Sequence, residues 1–153
     1  MESLNFAYHK DTVISVKRAK YNGIFINAKP ILLISIMDAY TCQIFIDNEV
    51  RIIDSLIELY QKNCTIFQPK TIPTPFYIPF FHLTSDGFWH LKLNEGYHFP
   101  GHEKTPSFKW QKEAIHYGYF SDSLFRFIQD ISERKRLKEE MIAHYFHNNN
   151  KSL

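Results

Sequence analysis

The chain has 153 residues, 44% of them hydrophobic and including 14 Phe and 9 Tyr, which is enough length and apolar stock for one globular domain with one core. Its 18 Lys and Arg against 16 Asp and Glu leave a net charge of +2, so only local clustering can point to a polyanionic partner. The longest apolar run, Ile31 to Met37, is interrupted by Ser35 and stopped by Asp38, well short of the ~20 residues of a membrane span, and no membrane segment is expected.

From Glu2 to Lys20, apolar Leu4, Phe6, Val13, Ile14 and Val16 recur at roughly helical spacing, with Lys10, Lys17, Arg18 and Lys20 as a basic flank. One basic helix is expected, ended by Tyr21-Asn22-Gly23, whose Asn and Gly tolerate the positive φ of a C-terminal cap. Pro30 suits the first turn of a second helix, with Asn27 near its cap. Its apolar residues from Ile31 to Tyr40 cover most of the circumference, which marks the core helix. Ile44-Phe45-Ile46 reads as a short strand, followed by a helix capped at Asp47 or Asn48 and ending near Asn63.

The segment from Thr65 to Pro79 holds four prolines and is expected to run extended over the surface as a ligand-facing loop. Phe80–Thr84 and Phe88–Leu93 flank Asp86-Gly87, a turn pair that predicts a β-hairpin. Helical patterns follow over Phe108–Tyr117, Ser121–Asp130 and Ser132–Phe146, and the mixed charges from Glu133 to Glu140 read as a solvated face. The expected organisation is an α+β, mostly helical single domain over 1–147 with a small antiparallel β-wing, winged-helix-like, and a polar tail over 148–153. Ile44–Ile46 is the expected third strand of that wing.

Cys42 and Cys64 lack paired spacing, and no basic stretch with an apolar run opens the chain, which reads as two buried thiols in a cytoplasmic protein. His98 with His102 and His144 with His147 have chelating spacing but no third ligand, so no metal or other cofactor is expected. No His-Glu-x-x-His, phosphate loop, nucleophile elbow or Cys/His dyad is present, and Asp86 fits a turn better than a catalytic site. Lys29, Lys92, Lys104, Lys109 and Lys112, interleaved with aromatics at helix starts and loops, are of the kind that reaches phosphates.

Four stretches resemble one family together: Lys29-Pro30-Ile31-Leu32-Leu33-Ile34-Ser35, Pro79-Phe80-Phe81-His82-Leu83-Thr84-Ser85-Asp86-Gly87-Phe88-Trp89, Ala114 to Phe125, and the ending His144-Tyr145-Phe146. They are similar to the DNA-binding domain in front of the catalytic domain of bacterial HNH-type restriction endonucleases, including the sulfur-binding domains that read phosphorothioate DNA. The resemblance spans roughly Lys10 to Phe146. It implies a shallow apolar pocket for the sulfur at Tyr77, Ile78, Pro79 and His82, with cationic side chains, Lys29 among them, holding the flanking backbone.

The chain departs from that pattern at three points. Ala28 stands where the family has a histidine before Lys-Pro, His82 stands where sulfur readers can have a small residue, and a later arginine has only Lys104 or Lys109 as counterparts. After Phe146 no ββα metal fold is expected, and whether a nuclease partner acts in trans stays open. The expected function is a double-stranded DNA recognition module of a restriction or defence system. Its rivals are a non-catalytic protein-interaction subunit and a metal-dependent nuclease whose histidines and Asp86 converge in space.

Overall fold

A computed structural model describes residues 3–101 and 104–146 as an α+β, mostly helical domain with two small antiparallel sheets. The expected tail, His102 and His147 lie outside the described residues. Helix α1 spans Leu4–Ile14, and Ser3 caps it by accepting the Phe6 N–H at 3.0 Å. It stops well before Lys20, so Lys17 and Arg18 lie on a connector and not on a helical flank.

Asn22 and Gly23 do take positive φ, at 53° and 79°, but they close a hairpin between β1, Lys20–Tyr21, and β2, Ile24–Phe25. The left-handed tolerance that suits a helix cap suits a two-residue hairpin turn equally well, and here the turn wins.

Helix α2, Ala28–Thr41, starts where Pro30 predicts, and every residue from Pro30 to Met37 is buried. Helices α3, Asp54–Phe67, and α7, Ile131–Tyr145, pack on it, and α1 packs on α7. One core results, running from Phe6 to Phe146. Helix α3 begins later than expected, because Asn48 is used elsewhere. Its amide donates to the Phe120 carbonyl at 2.8 Å and accepts the Phe120 N–H at 2.9 Å.

The expected hairpin at Asp86-Gly87 is not formed. Phe76, Phe80 and Leu83 are buried at helical spacing, and the chain is helical through α4, Tyr77–His82, and a 3-10 turn at Leu83–Asp86. Gly87, at φ 86°, ends that turn in the left-handed region. Pro79 is compatible with helix because it sits in the first turn, where its missing N–H has no partner to lose. Only 68–76 stays irregular in the proline-rich stretch.

Strand β3, Trp89–Leu93, therefore pairs across a long loop with β4, Ile115–Phe120, which takes over the last three residues of the expected Phe108–Tyr117 helix; that helix ends at Ala114 as α5, Phe108–Ala114. Ile44–Ile46 forms no strand, and Val50 supplies the third neighbour through a single bridge to Gly118. The wing built on the expected hairpin is thus replaced by a sheet of distant segments.

Helix α6, Asp122–Gln129, begins after Ser121 as expected. Helix α7 is capped by Asp130, which accepts the Glu133 N–H, and not by Ser132. Arg134 on α7 is buried, donating to the Ile128 carbonyl at 2.8 Å and Thr41 Oγ1 at 3.0 Å, so that face is not wholly solvated. Cys64 is buried but Cys42 is exposed at the end of α2. Among the described residues, no helix is long and apolar enough to cross a membrane.

Trp89 is fully buried over Gly118, where an added Cβ would stand 2.2 Å from Trp89 Cζ2. The ring is enclosed by Phe80 and Phe120 and cannot retreat, so Gly118→Ala should cost about 2–3 kcal/mol in urea unfolding. A midpoint within error of wild type would contradict the packing.

His9 is buried against Phe127 with Nδ1 unpartnered, and burial lowers its pKa below the usual 6.5. The unfolded chain then takes up the proton more readily than the folded one. Stability should fall as pH drops below about 6.5. His82 is lowered too and adds to the same slope, so His9→Leu should flatten the loss between pH 7.5 and 5.5 without abolishing it, as read by urea midpoints.

Candidate nucleic-acid interface

The site begins with one carboxylate. Asp86, at the end of the 3-10 turn, has a side chain only 4% exposed; its Oδ2 accepts Lys29 Nζ at 2.8 Å and its Oδ1 accepts the backbone N–H of Lys17 at 2.7 Å. Lys29 Nζ also reaches Ser85 Oγ, and Lys17 Nζ donates to the Ser85 carbonyl, each at 3.2 Å. Asp86 is therefore a clamp between the connector after α1 and the start of α2, in place of the expected turn residue.

The clamp forms one side of a cleft of about 620 Å³. Ile78, Pro79 and His82 of α4 supply one wall, Ala28 and Lys29 of α2 another, and Lys17 and Arg18 the rim. Pro79 is buried, while Ile78 and His82 are partly exposed. The floor is rigid, because the Trp89 indole behind α4 donates to the Phe80 carbonyl at 3.0 Å. Four of the sequence-predicted residues, Lys29, Ile78, Pro79 and His82, thus meet at one place.

Tyr77, Lys104 and Lys109 do not line the cleft. Tyr77 turns to Phe108, ring centroids 6.1 Å apart, and its carbonyl accepts Gln111 Nε2 at 3.0 Å. Lys109 is exposed on α5, and Lys104 is exposed next to Thr105, whose hydroxyl is 2.6 Å from His82 Nε2. Burial, with help from the Lys29 charge, lowers the His82 pKa, so the imidazole is neutral at pH 7. Ala28 lines the cleft too, and its small methyl leaves room there.

Lys17 and Arg18, expected on a helical flank, stand at the rim of the cleft instead. Arg18 donates to Asn27 Oδ1 at 2.8 Å and lies 4.0 Å from the Phe25 ring centroid and 4.8 Å from that of Tyr145. A signal for them exists in the sequence. Between Asp11 and Asp38, and again between Glu58 and Asp86, there is no acidic residue, while Lys17, Arg18, Lys20, Lys29, Lys62 and Lys70 fall in those two stretches. Every residue lining the cleft comes from them.

Among the described residues, no three His, Cys, Asp or Glu side chains come together in a way that could hold a metal. His98 and His144 have their expected partners outside the described residues. Neither protein-family models nor curated proteins give a match to this chain.

The Lys29–Asp86 pair is largely removed from water, so breaking it leaves an uncompensated buried charge. Asp86→Asn should lower stability by about 3 kcal/mol in urea unfolding, through the stranded Lys29 ammonium. Pairing it with Lys29→Met should recover part of the loss, and a double variant no more stable than Asp86→Asn alone would contradict the clamp.

Proposed function

We propose that this chain is a non-catalytic module that binds duplex DNA, holding the sugar-phosphate backbone in the cleft between the Lys17–Arg18 connector and α4. The observation that carries the reading is an apolar floor, Ile78 and Pro79, rimmed by cations and lined only from stretches without acidic residues. Such a cleft attracts a phosphate backbone by charge and releases its counterions on binding.

Within that reading, the preferred duplex carries a phosphorothioate, as the resemblance of the Pro79–Trp89 and Lys29–Ser35 stretches implies. Sulfur is larger, more polarisable and less well hydrated than oxygen, so a floor of Pro79 and Ile78 penalises an ordinary phosphate oxygen more. The neutral His82 adds no competing charge at pH 7. The module would serve a restriction or defence system. Cys42 and Cys64 are both unpaired thiols, which fits the reducing cytoplasm.

The test is a titration of matched duplexes, plain and with one backbone sulfur, across a salt series. Affinity should fall with salt at a log–log slope equal to several contacts, and Lys17→Ala should flatten it by about 0.9. One sulfur should tighten binding by about tenfold, or about 1.4 kcal/mol, and Ile78→Asp should remove that gain by hydrating the floor. No duplex binding at low salt overturns the reading. Binding with a sulfur ratio near one leaves a reader of plain duplex.

A further inference from the structure

Beside the cleft lies a feature that backbone binding does not use. The β1–β2 hairpin buries none of its four strand residues, and Tyr21, Ile24 and Phe25 are 72%, 66% and 41% exposed. Facing them, Ile72 on the loop before α4 is 95% exposed. Together they line an apolar groove of about 330 Å³ that shares Ile26 and Thr74 with the cationic cleft, so the two surfaces are continuous. An exposed two-stranded ribbon with apolar side chains is an unfavourable way to finish a fold unless something covers it.

The charges around the groove say what covers it. Lys20 Nζ stands 4.6 Å and the Arg18 guanidinium 4.0 Å from the Phe25 ring centroid, and Lys70 is exposed on the facing loop. The groove, like the cleft, is lined only from stretches free of acidic residues. An apolar protein surface has no need of that cationic frame. A nucleic acid has both halves of the complement: phosphates outside, and apolar base faces between the steps. A two-stranded ribbon is also of a size to enter a duplex groove.

We propose that the β1–β2 hairpin, with Tyr21 and Ile24 foremost and Ile72 behind, inserts into a groove of the duplex and unstacks a base step beside the backbone held in the cleft. The inference rests on the duplex-binding reading above and adds a deformation of the DNA to it. Arg18 and Lys20 then contact phosphates on either side of the opened step, and the ring of Phe25 keeps their stems in place.

The experiment is permanganate oxidation of thymines in a plain duplex with TA and TG steps spread along both strands, saturated with wild-type protein as checked by anisotropy. Thymines in one short tract should become severalfold more reactive. Tyr21→Ser with Ile24→Ser should remove that reactivity while leaving the salt slope of binding unchanged, Ile72→Ser should weaken it, and Ile131→Ser, exposed on α7, should leave it as in wild type. All four positions are exposed, so the urea midpoints should match, and Ile72→Ser provides an independent arm if the hairpin variant melts early. Saturating binding without reactive thymines overturns the insertion and leaves the backbone cleft standing, as does reactivity that survives in both the hairpin and Ile72 variants. No binding at low salt overturns both.

Discussion

The arrangement of the candidate site depends on the buried carboxylate of Asp86. It joins three segments far apart in sequence: the connector at Lys17, the start of α2 at Lys29, and the end of the helical stretch from Tyr77. A carboxylate 4% exposed is tolerated only with its charge and lone pairs answered, and here one oxygen takes an ammonium and the other a backbone N–H. The geometry of the cleft follows from meeting that demand. Since Lys29 is neutralised in doing so, the cleft's remaining positive potential comes from Lys17 and Arg18.

Behind the cleft, a second constraint fixes the floor. Trp89 fills the space between α4 and β4, its indole N–H satisfied by the Phe80 carbonyl and its ring lying over Gly118. Gly118 also exchanges both backbone hydrogen bonds with Val50, so one residue without a side chain admits a large ring on one side and a neighbouring strand on another. Phe80 and Phe120 pack edge-on against the Trp89 ring, contacts that stiffen the layer carrying Ile78 and Pro79.

The parts of the fold legible in the sequence are those where one signal dominates. The all-round apolar run after Pro30 became the core helix, and Ser121 preceded a helix as its residue type suggests. Local pattern and structure part where one residue pair serves two geometries. Asn22-Gly23 closes a hairpin where a helix cap was expected, and Asp86-Gly87 ends a helical turn where a hairpin was expected. Both pairs supply a left-handed residue, and only long-range pairing decides its use. The partner of β3 lies across a long loop in β4, beyond the reach of local periodicity. Of the site, Lys29, Ile78, Pro79 and His82 were legible, while Lys17 and Arg18 were hidden by extending α1 past Ser15.

Arg18 stands between two rings, Phe25 on the neighbouring hairpin and Tyr145 at the end of α7, and the Tyr145 hydroxyl donates to the Val13 carbonyl at 2.8 Å. The cation at the rim is thus held in part by the last turn of α7. During synthesis the connector emerges well before α7, so a nascent chain carries the lysines and arginine of the rim without the ring that sets Arg18 in place. Arg18 is set in place only when α7 docks on α1. A polyanion met before that docking encounters a surface that is charged but not yet shaped.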